Sequence, residues 1–272
     1  MSLRIQNNIE ASNAHRQLTH TSQMQAKAME KLSSGYRINR AADDAAGLAI
    51  SEKLRAQVSG LDQAARNSQD AISLVQTAEG SMAEVHTMLQ RLRDLAVQYN
   101  NGTLSSSDQS AITDEVGQLC AEVNRIGADT KFNGISLLTG TSSITFQIGA
   151  EAGQTLAVSG VSMFGAGGSY KIDSAIFGFS GTVNLSNIDA AISNISNARS
   201  TFGAVQNRLE HTLNNLASYQ ENLQASESRI RDVDMAKEMV NFTKLQILSQ
   251  AGTAMLAQAN QSSQGVLTLL RG

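Results

Sequence analysis

The chain contains no proline and no tryptophan, and aromatic residues make up only 4% of its 272 positions. Without proline, no long helix is interrupted by a residue that lacks an amide donor. With so few aromatic rings, a core has to be built from Leu, Ile, Val, Met and Ala, which suits the packing of helix on helix. The hydrophobic fraction of 41% is sufficient for such a core. The composition therefore predicts a mainly α-helical protein.

The single cysteine, Cys120, excludes an internal disulfide. The nearest basic residue in sequence is Arg125, and a thiol without an adjacent base is typical of a small buried hydrophobe. No apolar run approaches the length of a membrane span. The first residues, MSLRIQNNIEASN, lack the apolar centre of a cleavable secretory signal. We therefore expect no membrane insertion, and either cytoplasmic residence or a non-standard export route.

Charge of the two signs is distributed unevenly along the chain. Residues 1–40 carry a net charge of +4 and residues 235–272 of +2, whereas residues 41–234 carry −9. Basic ends occur in arms that bind nucleic acid. Here the basic residues are dispersed, however, and the aromatic side chains that stack on bases are nearly absent. We expect no nucleic-acid partner.

Apolar residues recur at intervals of seven in two long segments. One register consists of Ile188, Ile195, Phe202, Leu209, Leu216, Leu223 and Ile230, and the other of Leu54, Leu61, Val75, Met82, Leu89 and Ala96, interrupted only by Ser68. A strict repeat of seven favours coiled-coil-like helices over ordinary surface helices. The patterns predict helices over about 187–234 and 44–99, the second ended by the NNG sequence at 100–102.

A third, shorter helix is predicted after residue 105. Ser106 is the expected N-cap, Gln109 its capping-box partner, and Gly127 the expected end. The terminal segments carry weaker stripes, interrupted by Ser, Thr and Gln, that bury too little apolar surface to be stable alone. Between the helices, residues 130–185 change character: FNG at 132–134 predicts an Asn-Gly turn, and SSITFQIG predicts a strand. We expect a small β-hairpin region, inserted at one end of a long helical bundle.

The stretch KLSSGYRINRAADDAAG, residues 31–47, places Asp43 and Asp44 near three basic residues. Carboxylates at the start of a helix stabilise it by capping free amides and complementing its dipole. A metal site requires more ligands, and none of the four histidines lies in a metal-binding motif. The chain also lacks the usual nucleophile and phosphate-binding motifs. The two aspartates are therefore interpreted as helix caps, and we expect no cofactor and no catalysis.

The segment KLSSGYRINRAADDAAGLAISEKLRAQVSGL closely resembles the signature of bacterial flagellin. The likeness continues through QRLRDLAVQ, FNGISLL, FQIGAEAGQT and ILSQAGTAMLAQANQ, and covers residues 1–155 and 185–272. It implies a subunit of the flagellar filament, exported uncleaved through the flagellar type III apparatus and located outside the cell. Its implied partners are copies of itself, an export chaperone, and the filament cap and hook-associated proteins. Departures from the family pattern at Arg40, Cys120 and Ser263 remove no motif.

The resemblance also implies a domain organisation. Residues 1–43 with 235–272 correspond to paired terminal helices that form an inner tube, and residues 44–155 with 185–234 to a bundle that forms an outer tube. Residues 156–184 correspond to a short variable segment. The joint between the layers is expected at Gly35, Arg37, Asn39, Asp43 and Asp44. The expected polymerisation residues are Ile5, Ile9, Leu18, Leu32, Leu245, Leu248, Met255, Val266 and Leu269.

The QRLRDLAVQ segment resembles the part of flagellins that a Toll-like host receptor binds. The matching residues are Gln90, Arg91 and Leu95, with Glu115 from the neighbouring helix, and the helical spacing predicts that Arg91 and Leu95 share one flank.

Three alternatives to a filament subunit remain at this point. A hook–filament junction protein shares the terminal motifs. A metalloprotease inserted in the variable segment is argued against by the absence of histidine there. A cytoplasmic coiled-coil scaffold would explain the heptads alone.

Overall fold

The computed structural model describes residues 8–139, 143–160 and 185–271, and the side chains as far as residue 261. Five helices and four short strands follow one another along these residues. The helices are α1 (Ile9–Ser34), α2 (Ala45–Tyr99), α3 (Ser106–Asp129), α4 (Leu185–Arg231) and α5 (Met235–Arg271). The strands are β1 (Lys131–Phe132), β2 (Ile135–Ser136), β3 (Ser143–Gln147) and β4 (Thr155–Ser159). The predicted class, mainly α with a small β-hairpin region, is confirmed.

Contacts between residues divide the chain into two compact units. Unit 1 comprises Met1–Ala56 and Asn222–Gly272, and unit 2 comprises Gln57–Glu221. In unit 1 the main contact between elements is that of α1 with α5. The predicted pairing of the terminal helices is therefore present. In unit 2 the described parts of α2, α3 and α4 surround one large hydrophobic core.

The two heptad registers contribute seven buried residues to the unit 2 core. Val75, Met82, Leu89 and Ala96 of α2 and Ile188, Ile195 and Phe202 of α4 are all buried in it. Ser68, which interrupts the α2 register, is also fully buried, and its hydroxyl donates to the carbonyl oxygen of Ala64 at 2.8 Å. An apolar repeat can include this serine because its one donor is satisfied within the helix.

Local rules set the ends of α3 and α4, and each differs from the sequence prediction. The N-cap of α3 is Ser105, whose capping-box partner is Asp108, so the predicted pair was wrong by one residue. Gly127 does not end α3. It is buried inside the helix with helical backbone, and α3 continues to Asp129. Helix α4 ends at Arg231, three residues before the prediction, because Asp234 already caps α5 by accepting from Lys237 N at 3.1 Å.

The β region consists of two antiparallel hairpins. Strands β1 and β2 are joined by Asn133 and Gly134, which have φ angles of 49° and 81°. This is the geometry of a tight turn that Asn-Gly favours, so the predicted turn is confirmed. Strands β3 and β4 pair over five residues each, and Leu156 and Val158 of β4 are buried against the helices of unit 2. Gly60 of α2 permits this approach, since a Cβ there would lie 2.9 Å from Ala150 Cβ.

The predicted variable segment, 156–184, is only partly described. Residues 156–160 belong to β4 and its end, and residues 161–184 lie outside the described part of the chain.

Candidate functional surfaces

The contact between α1 and α5 follows a repeat of seven that is built mainly from small or polar residues. On α1 the buried and half-buried positions that follow this repeat are Ala11, Ala14, Leu18, Thr21, Gln25, Ala28 and Leu32. On α5 they are Glu238, Phe242, Leu245, Ser249, Gly252, Leu256 and Ala259. We call these two sets the terminal seam. A seam with so few large apolar side chains buries little area, and area removed from water is what stabilises helix pairs.

Two contacts fix the direction of the helix pair. Asn8 Nδ2 donates to the carbonyl oxygen of Ala259 at 3.0 Å, and a Cβ at Gly252 would lie 3.2 Å from Leu18 Cδ1. The start of α1 therefore lies beside the far part of α5, and the two helices are antiparallel. Asn8 also caps α1, because its Oδ1 accepts from Ala11 N at 3.0 Å.

The predicted polymerisation residues do not form a single stripe. Leu18, Leu32 and Leu245 lie in the terminal seam, whereas Ile9, Leu248 and Met255 are exposed. The expectation of one continuous α5 stripe was therefore wrong. Leu248 and Met255 each follow a seam residue by three positions, which turns them about 60° away from the seam, beyond the side that α1 covers. Ile5 lies outside the described residues, and Val266 and Leu269 lie outside the described side chains.

Helix α5 carries a second apolar face that points away from the terminal seam. Val240 is 71% exposed and Ile247 is 61% exposed. Ile247 lies two residues, roughly 200° of helical rotation, beyond the buried Leu245. The face forms a shallow apolar depression, lined by Met239, Val240, Thr243, Lys244, Ile247 and Leu248. We call these six residues the outer face of α5. Nothing within the described residues of unit 1 covers it.

Backbone hydrogen bonds join the α1–α2 connection to the α4–α5 connection. Arg37 N donates to the carbonyl oxygen of Arg231 at 2.7 Å, and Val233 N donates to that of Gly35 at 3.0 Å, around an antiparallel bridge between Tyr36 and Asp232. Gly35 makes this geometry possible because it ends α1 with a φ of 75°, in the left-handed region that glycine adopts without strain. The predicted joint residues Gly35 and Arg37 are thus brought together with the end of α4.

The side chain of Arg231 links the same joint to α2 and to the ring of Tyr36. Its Nη1 lies 2.6 Å from Glu52 Oε1 on α2, and its guanidinium lies 4.7 Å from the centroid of the Tyr36 ring. Only 13% of this side chain is exposed, so both interactions are partly shielded from water. Its Nε is buried and has no partner among the described residues. Sequence reasoning missed Arg231, Tyr36 and Glu52, because their proximity depends on contacts between residues far apart in the chain.

The two predicted aspartate caps serve two different turns. Asp44 Oδ1 accepts from Gly47 N at 2.9 Å, so Asp44 caps α2 as predicted. Asp43 Oδ2 instead accepts from Arg40 N at 3.0 Å and from Asn39 N at 3.2 Å, in the turn before the helix. These backbone bonds, first that from Arg40, lower the pKa of Asp43. The expectation that both carboxylates cap α2 was wrong for Asp43, since its oxygen reaches amides behind it in the chain.

The predicted joint residue Asn39 adds a link back to α1. Its Nδ2 donates to Ser34 Oγ at 2.9 Å. Beneath the turn, Ile38 is almost fully buried.

The residues of the predicted receptor surface lie in unit 2 and are only partly accessible. Arg91 on α2 forms an ion pair with Glu115 on α3, with Nη2 and Oε1 separated by 2.8 Å. Gln90 is exposed, and its Nε2 lies 3.0 Å from His86 Nε2. Leu95, however, is only 2% exposed and belongs to the hydrophobic core. The expectation that Leu95 shares an exposed flank with Arg91 was wrong, because the apolar stripe of α2 is wide enough to include position 95.

Cys120 lies on α3, half-buried beside the unit 2 core. Burial raises the pKa of its thiol to about 11, so the thiol is protonated at neutral pH and is a poor nucleophile. Among the described residues, no three His, Cys, Asp or Glu side chains converge on a possible metal position. Within the same residues, no helix combines the length and the hydropathy needed to cross a bilayer.

These observations define a class of protein: a helical subunit whose core lies in one unit, while the terminal helices of the other unit leave an apolar face uncovered. Comparison with known proteins gives the family. The model for the bacterial flagellin N-terminal helical region matches residues 5–143, and the model for the bacterial flagellin C-terminal helical region matches residues 185–270. The chain belongs to the bacterial flagellin family.

Relatives match over nearly the whole chain. A flagellin of Halalkalibacterium halodurans is 53% identical, across 98% of this chain and 99% of that protein. A flagellin of Bacillus subtilis is 49% identical, across 99% and 100%. The flagellar filament 33 kDa core protein of Treponema phagedenis is 48% identical, across 98% and 99%. As a flagellin of similar length, the protein is a structural subunit of a bacterial flagellar filament.

Proposed function

We propose that copies of this chain polymerise through the outer face of α5, and that this contact completes the burial that the terminal seam leaves unfinished. The observation that carries the proposal is the exposure of Val240 and Ile247 on a helix whose other face is already paired. Apolar area removed from water contributes roughly 25 cal/mol per Å². A surface that remains apolar and uncovered in a single chain is the kind that a second copy covers.

The charges of the two units support contacts between subunits. Unit 1 carries thirteen Lys and Arg against nine Asp and Glu, a net charge of +4, and unit 2 carries eight against fifteen, a net charge of −7. Together they give the −3 of the whole chain. Opposite net charges attract unit 1 of one copy to unit 2 of another, although salt screens this attraction beyond about 10 Å at 0.1 M. Such a head-to-tail contact generates an open filament when its rotation does not close into a ring.

In the assembled filament, residues 1–43 with 235–272 form the inner tube and residues 44–155 with 185–234 form the outer tube. The support for this division is the contrast between the narrow terminal seam and the large core around α2, α3 and α4. The joint at Gly35 and Arg231 lies close to the proposed boundary. Residues 156–184 form the variable segment.

The remaining partners follow from the family. We propose export as an uncleaved chain through the flagellar type III apparatus, with an export chaperone, and contacts with the filament cap and the hook-associated proteins at the filament ends. A hook–filament junction protein is the alternative within the same family. The two differ in one measurable property, because a filament subunit forms long polymers alone and a junction protein does not.

We further propose that a Toll-like host receptor binds unit 2 at Gln90, Arg91 and Glu115. The exposed ion pair between Arg91 and Glu115 supports this surface. Leu95 is excluded from direct contact in the free chain by its burial, and its role is to position α2 from within the core.

The polymerisation proposal is tested on the outer face itself. Ile247→Ser removes apolar area from that face, and we expect it to lower the sedimentable fraction strongly while circular dichroism shows unchanged helix content. Gln246→Ser is the matched control, because the neighbouring position is exposed but already polar. Removing residues 235–272 is expected to abolish polymer altogether. Equal polymer yield from Ile247→Ser and the wild type would contradict the proposal, as would filaments of the truncated chain.

A further inference from the structure

The methionines of the two units differ sharply in exposure. The chain has nine methionines, and five of them lie in unit 1 with 47% to 64% of the residue exposed. These five are Met24, Met29, Met235, Met239 and Met255. In unit 2, by contrast, Met82 is completely buried and Met88 is half-buried against the core. The side chains of Met1 and Met163 lie outside the described residues.

One exposed methionine lies on the surface that the proposed function uses, and the other four lie on the same two terminal helices. Met239 lines the outer face of α5 next to Val240, and Met255 lies about two turns beyond Leu248 on the same helix. Met24 and Met29 flank the terminal seam on α1. Because methionine is flexible and polarizable, it adapts to irregular apolar contacts, but its thioether is also open to oxidation when water reaches it.

We propose that these five methionines make assembly sensitive to oxidation, through Met239 on the outer face of α5 first of all, with hydrogen peroxide or a related two-electron oxidant as the reagent. The thioether sulfur attacks one peroxide oxygen, the O–O bond breaks, and methionine sulfoxide and water are formed. The sulfur is oxidised and the peroxide is reduced, so no other reactant is needed. The reaction turns an apolar side chain into a polar one that carries a strong hydrogen-bond acceptor.

The consequence for assembly rests on the proposed function. A sulfoxide oxygen on the outer face of α5 remains hydrated in the free chain and loses its water when a second copy covers the face. A polar group buried without a partner opposes association. Unit 2 keeps its fold during the same treatment, because Met82 lies in a core that the oxidant does not reach. Oxidation therefore blocks addition of new subunits without unfolding them.

The test uses the full-length protein as monomer, treated with hydrogen peroxide, freed of the reagent and then allowed to polymerise. Peptide mass spectrometry is expected to find an added oxygen on the five exposed methionines before Met82. Sedimentation is expected to show a rise of about tenfold or more in the critical concentration, the effect of one uncompensated polar group. Circular dichroism should show unchanged helix content. Treatment with a methionine sulfoxide reductase should restore assembly.

The variant in which all five exposed methionines are replaced by leucine is expected to polymerise equally well with and without peroxide. Met82→Leu is the control and should stay sensitive, like the wild type. Assembly of the oxidised wild type at its original critical concentration would refute the inference, as would oxidation of Met82 at the rate of the exposed five. If the five-site variant does not polymerise before treatment, the reductase treatment of the oxidised wild type becomes the deciding measurement. Failure of the reductase to restore assembly refutes the inference. Absence of polymer from the untreated wild type refutes the proposed function instead.

Discussion

The long seam of α4 gives a graded test of how much burial of its leucines stabilises the folded chain. Leu209 is completely buried and packs in a small cluster with Ala71 of α2 and Leu156 of β4. One heptad later, Leu216 is 8% exposed, and one heptad further, Leu223 is only half-buried. Substitution by alanine removes the same atoms at each of the three positions, but the leucine side chain is buried to a different extent at each.

The expected losses of unfolding free energy follow this order. A fully buried Leu→Ala change costs about 3–5 kcal/mol, because it removes transfer free energy and leaves a cavity. Leu209 is enclosed by a strand as well as by a helix, so the cavity left by Leu209→Ala cannot collapse easily. We therefore expect its loss of unfolding free energy to lie near the upper end of this range. Leu216→Ala is expected to cost about 2–3 kcal/mol, and Leu223→Ala about 1 kcal/mol, since water already reaches part of that side chain.

Denaturant unfolding of the monomer, followed by circular dichroism and by a fluorescent label on α4, measures these differences. The midpoint should shift while the slope of the transition stays constant, which shows that stability rather than compactness has changed. Tyr219→Ala, at an exposed position on the same helix, is the control and should shift the midpoint little. Equal losses at the three leucines would show that α4 does not pack along this register, and the reasoning would be refuted.

Three further predictions concern the joint, a helix cap and the receptor surface. Arg231→Ala removes both the ion pair with Glu52 and the stacking on Tyr36, and should lower unit 1 stability by about 1–2 kcal/mol in thermal melts. Arg231→Lys should be intermediate, since lysine keeps charge without a planar guanidinium. The pKa of Asp108 is lowered by its bonds to the α3 N-cap, so its stabilisation is present above about pH 4 and is lost as pH falls through the folded-state pKa. Asp108→Asn should therefore unfold more easily than wild type at pH 7 and equally easily in strong acid. Arg91→Ala should reduce receptor signalling by purified monomer, and unchanged signalling would exclude this surface.

The sequence by itself determined the long helices and their buried faces. A strict repeat of seven apolar residues allows one low-energy arrangement, a helix with one face against its neighbours, so Ile188, Ile195 and Phe202 are buried as expected. The Asn-Gly turn was equally determined, because only residues that accept positive φ angles fit both central positions. The resemblance carried by the motifs also gave the family, since those motifs are long.

Other features were decided only by the tertiary structure, because they depend on which surfaces meet. The burial of Leu95 reflects the width of the contact between α2 and its partners, which no single-helix pattern specifies. The division of α5 into a terminal seam and an outer face depends on the narrowness of α1, whose Ala and Thr side chains cover only one side of α5. The joint of Arg231, Glu52 and Tyr36 joins residues up to 195 positions apart in the chain. Local sequence sets helix propensity and caps over a few residues, whereas such contacts arise only when the two ends of the chain pair.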